Sequence, residues 1–254
     1  MAVEVRVYAE LNDFLAPGRR GHPFEVEVGP HTTVKDLAES LGVPHTEIDV
    51  ITVNGESVGF AHRVASSDRV AVYPIFEALD VTPLIRLRPA PLRQPRFVLD
   101  VHLGRLARYL RLLGFDSLWG RDTNDVTLVR VSLREKRTLL TRDRGILKRA
   151  GLTHAYYVRE QLPRRQVVEV LRRFDLFGAV LPFGRCLECN GKLQHVDKAE
   201  VYELLPPRTR RDFDEFRQCS GCGRVYWKGS HYDRLGILVD DVLAEGGTSP
   251  QATR

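Results

Sequence analysis

The chain is poor in sulfur: its 254 residues include one methionine and four cysteines. Four cysteines confined to positions 186–222 are too few and too local for a disulfide-stapled secreted scaffold. Lysine is scarce as well, 6 residues against 32 arginines. Such a bias looks like a coding preference, so the placement of arginine is more informative than its number. No stretch approaches the ~20 apolar residues of a membrane span, and no membrane partner is expected. The opening "MAVEVRVYAE" has neither the basic nor the apolar region of a signal peptide. A cytoplasmic location is therefore expected.

What is present is an ordinary globular composition, 43% hydrophobic and 28% charged, in a length that suits two or three small domains. The net charge of +5 conceals an asymmetry. Residues 1–80 carry 6 basic against 13 acidic side chains, and residues 81–150 carry 16 against 6. A basic middle segment points to a polyanionic partner, nucleic acid first.

Residues 1–78 read as one unit. "VEVRV" and "FEVEV" alternate as half-buried strands do, and Val34, Leu37, Ala38 and Leu41 have helical spacing behind a Thr33/Asp36 capping box. "VITVNGESV" is a hairpin turning at Asn54-Gly55, and "RVAVYP" is a last strand. This order resembles the β-grasp of ubiquitin-like sulfur carriers. The chain runs on where those carriers end in a free Gly-Gly tail, which favours a fused docking or packing module. Residues 79–95, rich in proline and arginine, form a linker, either a solvated tether or a basic strap along bound nucleic acid. The N-terminal unit is therefore expected to be separable from the rest.

From 96 to 181, short apolar runs ("RFVL", "FDSLW", "TLL", "AYYV") alternate with helical stretches near 102–113, 126–136, 144–150 and 163–174. Such alternation implies a parallel sheet, with functional groups gathered beyond the carboxyl ends of its strands. Residues 182–235 hold every cysteine, and 236–254 are read as a polar tail.

Cys186 with Cys189, and Cys219 with Cys222, form two CxxC pairs with 29 residues between them. Two such pairs supply the four thiolates of a tetrahedral structural Zn²⁺. Two disulfides or a redox dithiol are the competing readings, and the cytosol disfavours the first. Without metal, 182–235 is expected to unfold while the rest stays folded.

Asp100 ends "RFVLD" and Asp143 ends "LLTRD", so a parallel sheet would place both at one edge. Asp122 and Asp125 lie in the loop leaving the second strand. Carboxylates without nearby His or Cys suit Mg²⁺ or Mn²⁺, which assist phosphodiester hydrolysis. Each acid also has a purely structural reading: Asp125 and Asp143 as helix N-caps, Asp122 as a loop residue. Asp116 is taken as structural. In "HLGRLARYLRLLG", Leu103, Leu106, Leu110 and Leu113 share one face, and Arg105, Arg108 and Arg111 the other. Those guanidiniums either bind phosphates or form a solvated face, with Tyr109 a stacking surface. Arg142 and Arg144 flank Asp143 and read the same way. His231 is expected to be packed or capping.

"FVLDVHLGRLARYLRLLGFDS", "LLTRDRGIL", "RCLECNGKL" and "QCSGCGRVYWKGSH" together resemble the Mut-seven C-terminal RNase family over nearly the whole chain. The resemblance implies an α/β protein with an N-terminal ubiquitin-like β-grasp, a central PIN-like parallel sheet and a C-terminal zinc ribbon. It further implies metal-dependent RNA hydrolysis, with Asp100, Asp125 and Asp143 at the family's acidic positions and Asp122 a looser match. PIN-type sites often use a glutamate, and no glutamate here falls at a strand tip. The expected substrate is single-stranded RNA. The alternatives are a non-catalytic RNA-binding protein, or an adaptor that meets a protein partner through the β-grasp.

Overall fold

A computed structural model describes residues 1–75, 83–87 and 96–246. Most of the expected 79–95 linker and residues 247–254 of the expected tail lie outside the described residues. The chain divides into two compact units. One comprises Met1–Arg93, Ser132–Lys136 and Thr141–Tyr157, the other Gln94–Val131, Arg137–Leu140 and Val158–Arg254.

The first unit is built on a five-stranded sheet. Its strands are β1 (Ala2–Val7), β2 (Phe24–Glu27), β3 (Ile48–Val53), β4 (Glu56–Ser57) and β5 (Arg69–Pro74), in the order β2-β1-β5-β3-β4. Strands β1 and β5 run parallel, and the other pairs are antiparallel. Alternation in β1 sends Val3, Val5 and Val7 inward and leaves Glu4 and Arg6 exposed, as a one-faced strand requires. The helix α1 (Val34–Ser40) packs Val34, Leu37 and Ala38 beneath the sheet, and its Thr33/Asp36 capping box is formed. The β3–β4 turn places Asn54 and Gly55 at φ +52° and +92°, the left-handed pair that a tight hairpin needs. This is a β-grasp, as its sequence suggested.

Residues 141–157, which contribute a strand to the α/β sheet, group with the β-grasp in this unit. Tyr157 of β9 (Ala155–Tyr157) joins the β-grasp core and meets Phe14 edge to face at 5.4 Å. The buried tripeptide His45-Thr46-Glu47 bonds to this same segment. Thr46 Oγ1 donates to Leu147 O at 3.1 Å, and Tyr157 N donates to Glu47 Oε1 at 2.6 Å. His45 lies 3.1 Å from Leu152 O and 2.7 Å from Glu39. Where sequence suggested a helix over 144–150 there is a single 3₁₀ turn, Ile146–Lys148.

The parallel sheet contains β6 (Phe97–Leu99), β7 (Ser117–Leu118), β8 (Thr138–Thr141) and β9 in the order β7-β6-β8-β9, with β6 running parallel to both β7 and β8. All three residues of β6 are buried, because helices cover both faces of such a sheet. The helix α2 (Gly104–Leu112) buries Leu106 and Leu110 with flanking Leu103 and Leu113. It packs on α4 (Pro163–Arg173), and Phe97 meets Phe174 just beyond α4 at 5.7 Å. The helix α3 (Asp125–Glu135) and strand β8 each straddle the division between the units.

The C-terminal part is a three-stranded antiparallel sheet of β10 (Leu193–Val196), β11 (Phe216–Cys219) and β12 (Val225–Trp227). The short helices α5 (Lys198–Val201) and α6 (Pro207–Asp212) are inserted between β10 and β11. Val201, Leu205 and Phe216 make a small core there. The helix α7 (Ser230–Ala244) corrects the tail boundary, since residues 236–244 are helical. Its apolar positions Val239 and Val242 are buried, and Arg164–Asp241 at 3.0 Å and Arg172–Glu245 at 3.5 Å tie it to α4.

A chain lacking residues 1–95 would expose the side of 141–157 that the β-grasp covers. Trypsin is expected to cut such a fragment at Arg142, Arg144, Lys148 or Arg149 at least about tenfold faster than the full chain, because local opening sets the rate. Equal cleavage rates would show that the two segments do not depend on each other.

Candidate functional site

The four cysteines come together. Their Sγ atoms all lie within 4.8 Å of one another, with Cys186 to Cys222 at 3.7 Å and Cys189 to Cys219 at 3.3 Å. A tetrahedral ion with thiolates at about 2.3 Å spaces its sulfurs about 3.8 Å apart, so the donor set fits. Amides aim at the sulfurs: Cys189 N at Cys186, and Gly221 N and Cys222 N at Cys219. A Cβ on Gly191 would stand 2.7 Å from the Cys219 sulfur, so the first knuckle closes only over glycine.

Protons distribute unevenly across this quartet. Burial opposes the Cys186 thiolate, but hydrogen bonds from Cys189 N, the Tyr226 hydroxyl and other donors bring its pKa down to about 6. Desolvation and hydrogen bonding with the other three thiols push Cys189 up to about 12. Crowded sulfurs accommodate one negative charge and resist the next, the condition a cation relieves. All four cysteines of the chain lie in this cluster, so together they could hold a structural metal ion.

A buried polar network joins this knuckle to the α/β core. Arg111 donates to Ser117 O at 2.8 Å, Leu187 O at 3.0 Å and Glu188 O at 2.7 Å. It is only 3% exposed. This corrects its reading as a phosphate ligand: the cysteine knuckle covers that side of α2. Asn190, at φ +72°, accepts from Ser117 N and donates to Asp116. Asp116 also holds Arg137 at 2.6 Å and Arg185 at 3.7 Å. Burial disfavours its charge, yet the bonds from Arg137 and Asn190 prevail and keep its pKa below the usual carboxylate value. Asp116 is structural, as expected.

Asp100 is 5% exposed and caps the 3₁₀ turn Val101–Leu103 by accepting from His102 N. Its own amide donates to Leu140 O at 3.1 Å, so it leaves β6 beside the end of β8. Asp143 is exposed, and its Oδ1 accepts from Gly145 N at 2.7 Å, a turn rather than a helix cap. Asp125 does not cap α3. Asn124 does so, accepting from Thr127 N at 2.9 Å, while Asp125 sits half-buried in the first turn. Asp122 is exposed. Among the described residues, the four cysteines are the group of metal-ligating side chains found close enough together to hold an ion.

Arg105 and Arg108 are exposed on α2 with Tyr109 half-buried beside them, and Arg108 lies 3.4 Å from Glu188. Arg142 is half-buried and already engaged. Arg144 is exposed and engages the β-grasp, donating to Asp13 O at 3.0 Å and lying over Phe14 and Tyr157.

Sequence reasoning missed a cleft of about 530 Å³ between the knuckle and α7. Its walls carry Phe183, Trp227 and Tyr232 among Arg108, Arg217 and Arg224. Phe183 stacks on Tyr232 at 4.1 Å and sits at φ +58°, unusual for a bulky residue. Its backbone is pinned there by bonds to Leu112 O and from Arg217. Both cleft acids are already paired, Glu188 with Arg108 and Glu215 with Lys228, so positive charge is left over. His231, expected to be packed, is exposed on the cleft wall. Alternation of aromatic and basic residues in "RVYWKGSHYDR" was the available signal.

No helix among the described residues is long and apolar enough to cross a membrane. No curated protein matches the chain significantly. Among solved structures, the small archaeal modifier protein 1 of Haloferax volcanii is 23% identical. That match covers 29% of this chain and 95% of that one, with a TM-score of 0.24. A second structure, SAMP1 from the same organism, is 20% identical, with 31% and 99% coverage and a TM-score of 0.25. A putative molybdopterin converting factor subunit 1 of Pyrococcus furiosus is 25% identical, covering 29% and 95%, with a TM-score of 0.23. Likenesses of that size carry no argument about function. Two family models do match, the Mut7-C ubiquitin domain over residues 1–80 and the Mut7-C RNAse domain over residues 95–239. With more than half its length inside the second, this chain belongs to the Mut7-C RNAse family.

Proposed function

We propose that the protein is a cytoplasmic ribonuclease that hydrolyses single-stranded RNA with Mg²⁺ or Mn²⁺ held by Asp100, Asp125 and Asp143, with Asp122 in support. The observation that carries this reading is the RNAse-domain match over 95–239, laid on a parallel β6–β8 pair whose carboxyl ends lead into Asp100 and Asp143. A small set of acids suits Mg²⁺, which keeps several waters and often takes only one or two carboxylates. When bound, such an ion supplies water activation and charge neutralisation at the phosphate. Asp100, buried and oriented by His102 N, is the best-fixed ligand. The aromatic and basic cleft seats the RNA strand, its rings stacking on bases and its arginines meeting phosphates.

We assign Zn²⁺ to the cysteine quartet. Arg111 lies near enough to Cys186 and Cys189 for their charges to interact and offsets part of the negative charge of a four-thiolate site. A cytoplasmic location fits four thiols that must stay reduced. One observation favours a second reading, a non-catalytic RNA-binding protein: the cleft with its rings and arginines is formed in the fold.

Elemental analysis should find one zinc per chain, lost in Cys219→Ser. Because Arg111 and Asn190 tie the knuckle to α2 and β7, zinc removal should lower the melting temperature of the α/β core too. A core that melts unchanged after zinc removal would refute that coupling.

Single-stranded RNA should be cut with Mg²⁺ or Mn²⁺ and spared with EDTA. Asp143→Asn keeps the acceptor for Gly145 N, so it should abolish cleavage while leaving stability and RNA binding nearly intact. Cleavage at the wild-type rate would remove Asp143 from the site. RNA bound but never cut would favour the second reading.

Arg224 makes no hydrogen bond or ion pair of its side chain among the described residues. Arg224→Ala should weaken RNA binding and reduce the slope of log K against log salt by about 1. An unchanged slope would place the RNA elsewhere.

A further inference from the structure

We propose that the β-grasp domain is a brace for the turn that carries Asp143, and that Arg144 is its positioning residue. The functional consequence rests on the ribonuclease reading of Asp143, but the brace does not. Local bonds give the turn its shape: Asp143 N donates to Thr141 Oγ1 at 2.9 Å, and Gly145 N donates back to Asp143 at 2.7 Å. They do not say where the turn points, and the Asp143 side chain itself is exposed.

Its direction comes from β-grasp residues between 13 and 47. Arg144 donates to Asp13 O at 3.0 Å, with its guanidinium 5.1 Å from the Phe14 ring and 5.4 Å from the Tyr157 ring. One cation thus bridges an edge-to-face pair whose two rings come from the two segments. A turn later, Lys148 Nζ donates to Glu39 O at 2.7 Å and Leu147 O accepts from Thr46. The Glu47 carboxylate, on a residue only 2% exposed, receives Tyr157 N.

Burial of polar side chains at 45–47 would be costly on a module that merely docked or drifted on a tether. It is stable because residues 147–157 supply the partners. A carboxylate meant to serve a metal or a phosphate needs its backbone fixed, since misplacement by about 1 Å can cost about a hundredfold in rate. Arg144 supplies that from the adjacent position.

The test uses the full chain with Arg144→Ala, Arg144→Lys and, from the other side of the contact, Phe14→Leu. Two quantities are read: amide exchange at Gly145, Ile146 and Leu147, and kcat and KM for single-stranded RNA with Mg²⁺. Arg144→Ala should speed exchange there about tenfold or more while leaving the amides of α1 and β5 unchanged. It should lower kcat about tenfold with little change in KM. Arg144→Lys, which keeps the cation over the rings, should recover part of both, and Phe14→Leu should repeat the Arg144→Ala pattern. Exchange at 145–147 unchanged in both Arg144→Ala and Phe14→Leu overturns the brace. A raised KM at constant kcat overturns it as well and makes Arg144 an RNA contact. If the wild-type chain cuts no RNA, the ribonuclease reading fails by itself, and the exchange data alone decide the brace.

Discussion

A guanidinium with almost no water around it must spend its donors on the protein, and Arg111 does so on three carbonyls from two distant parts of the chain. One of them belongs to Ser117 at the start of β7, and two belong to the cysteine knuckle. Stripping a charge of solvent costs several kcal/mol unless hydrogen bonds offset it. The α/β sheet and the cysteine site therefore hold this side chain only if both are folded and together. Asp116, Asn190, Arg137 and Arg185 extend the network on its other side. The ribbon is thus part of the α/β core, and a metal held by the four cysteines would also keep α2 and β7 in register with it.

The same logic governs the first unit, with different chemistry. Residues 141–157 end in a strand of the α/β sheet and also bond to the β-grasp. His45, Thr46 and Glu47, all buried and polar, are matched to acceptors and donors from that segment. A module joined by a proline-rich stretch looks detachable in one dimension. Its buried polar groups say otherwise, because Thr46 and Glu47 would exchange their bonds to Leu147 and Tyr157 for bonds to water on release.

Much of the fold was legible in the sequence because it follows from local rules. Alternation in "VEVRV", the Thr33/Asp36 capping box and the Asn54-Gly55 turn each form as read, since each depends on residues a few positions apart. The paired CxxC motifs and the leucine face of α2 were legible for the same reason. What failed was long-range. Arg111 carries the same helical signature as Arg108, yet one is buried and the other exposed, and residues 76 positions away make the difference. Asp125 and Asn124 are both good caps, and backbone geometry chose Asn124. Apolar positions in α7 had too little periodic strength to be separated from a polar tail.

By itself, then, the sequence determined the kind of elements, the ligand type at the cysteine site and the acids from which any cation site must be drawn. Spacing and residue chemistry are enough for those. Only the tertiary structure decided which arginines remain exposed, that an aromatic and basic cleft opens between the knuckle and α7, and that Arg144, next to Asp143, bonds to the β-grasp. The physical reason is the same in each case: desolvation and partner supply are properties of what packs against a side chain, and that neighbour is set by the fold rather than by the adjoining residues.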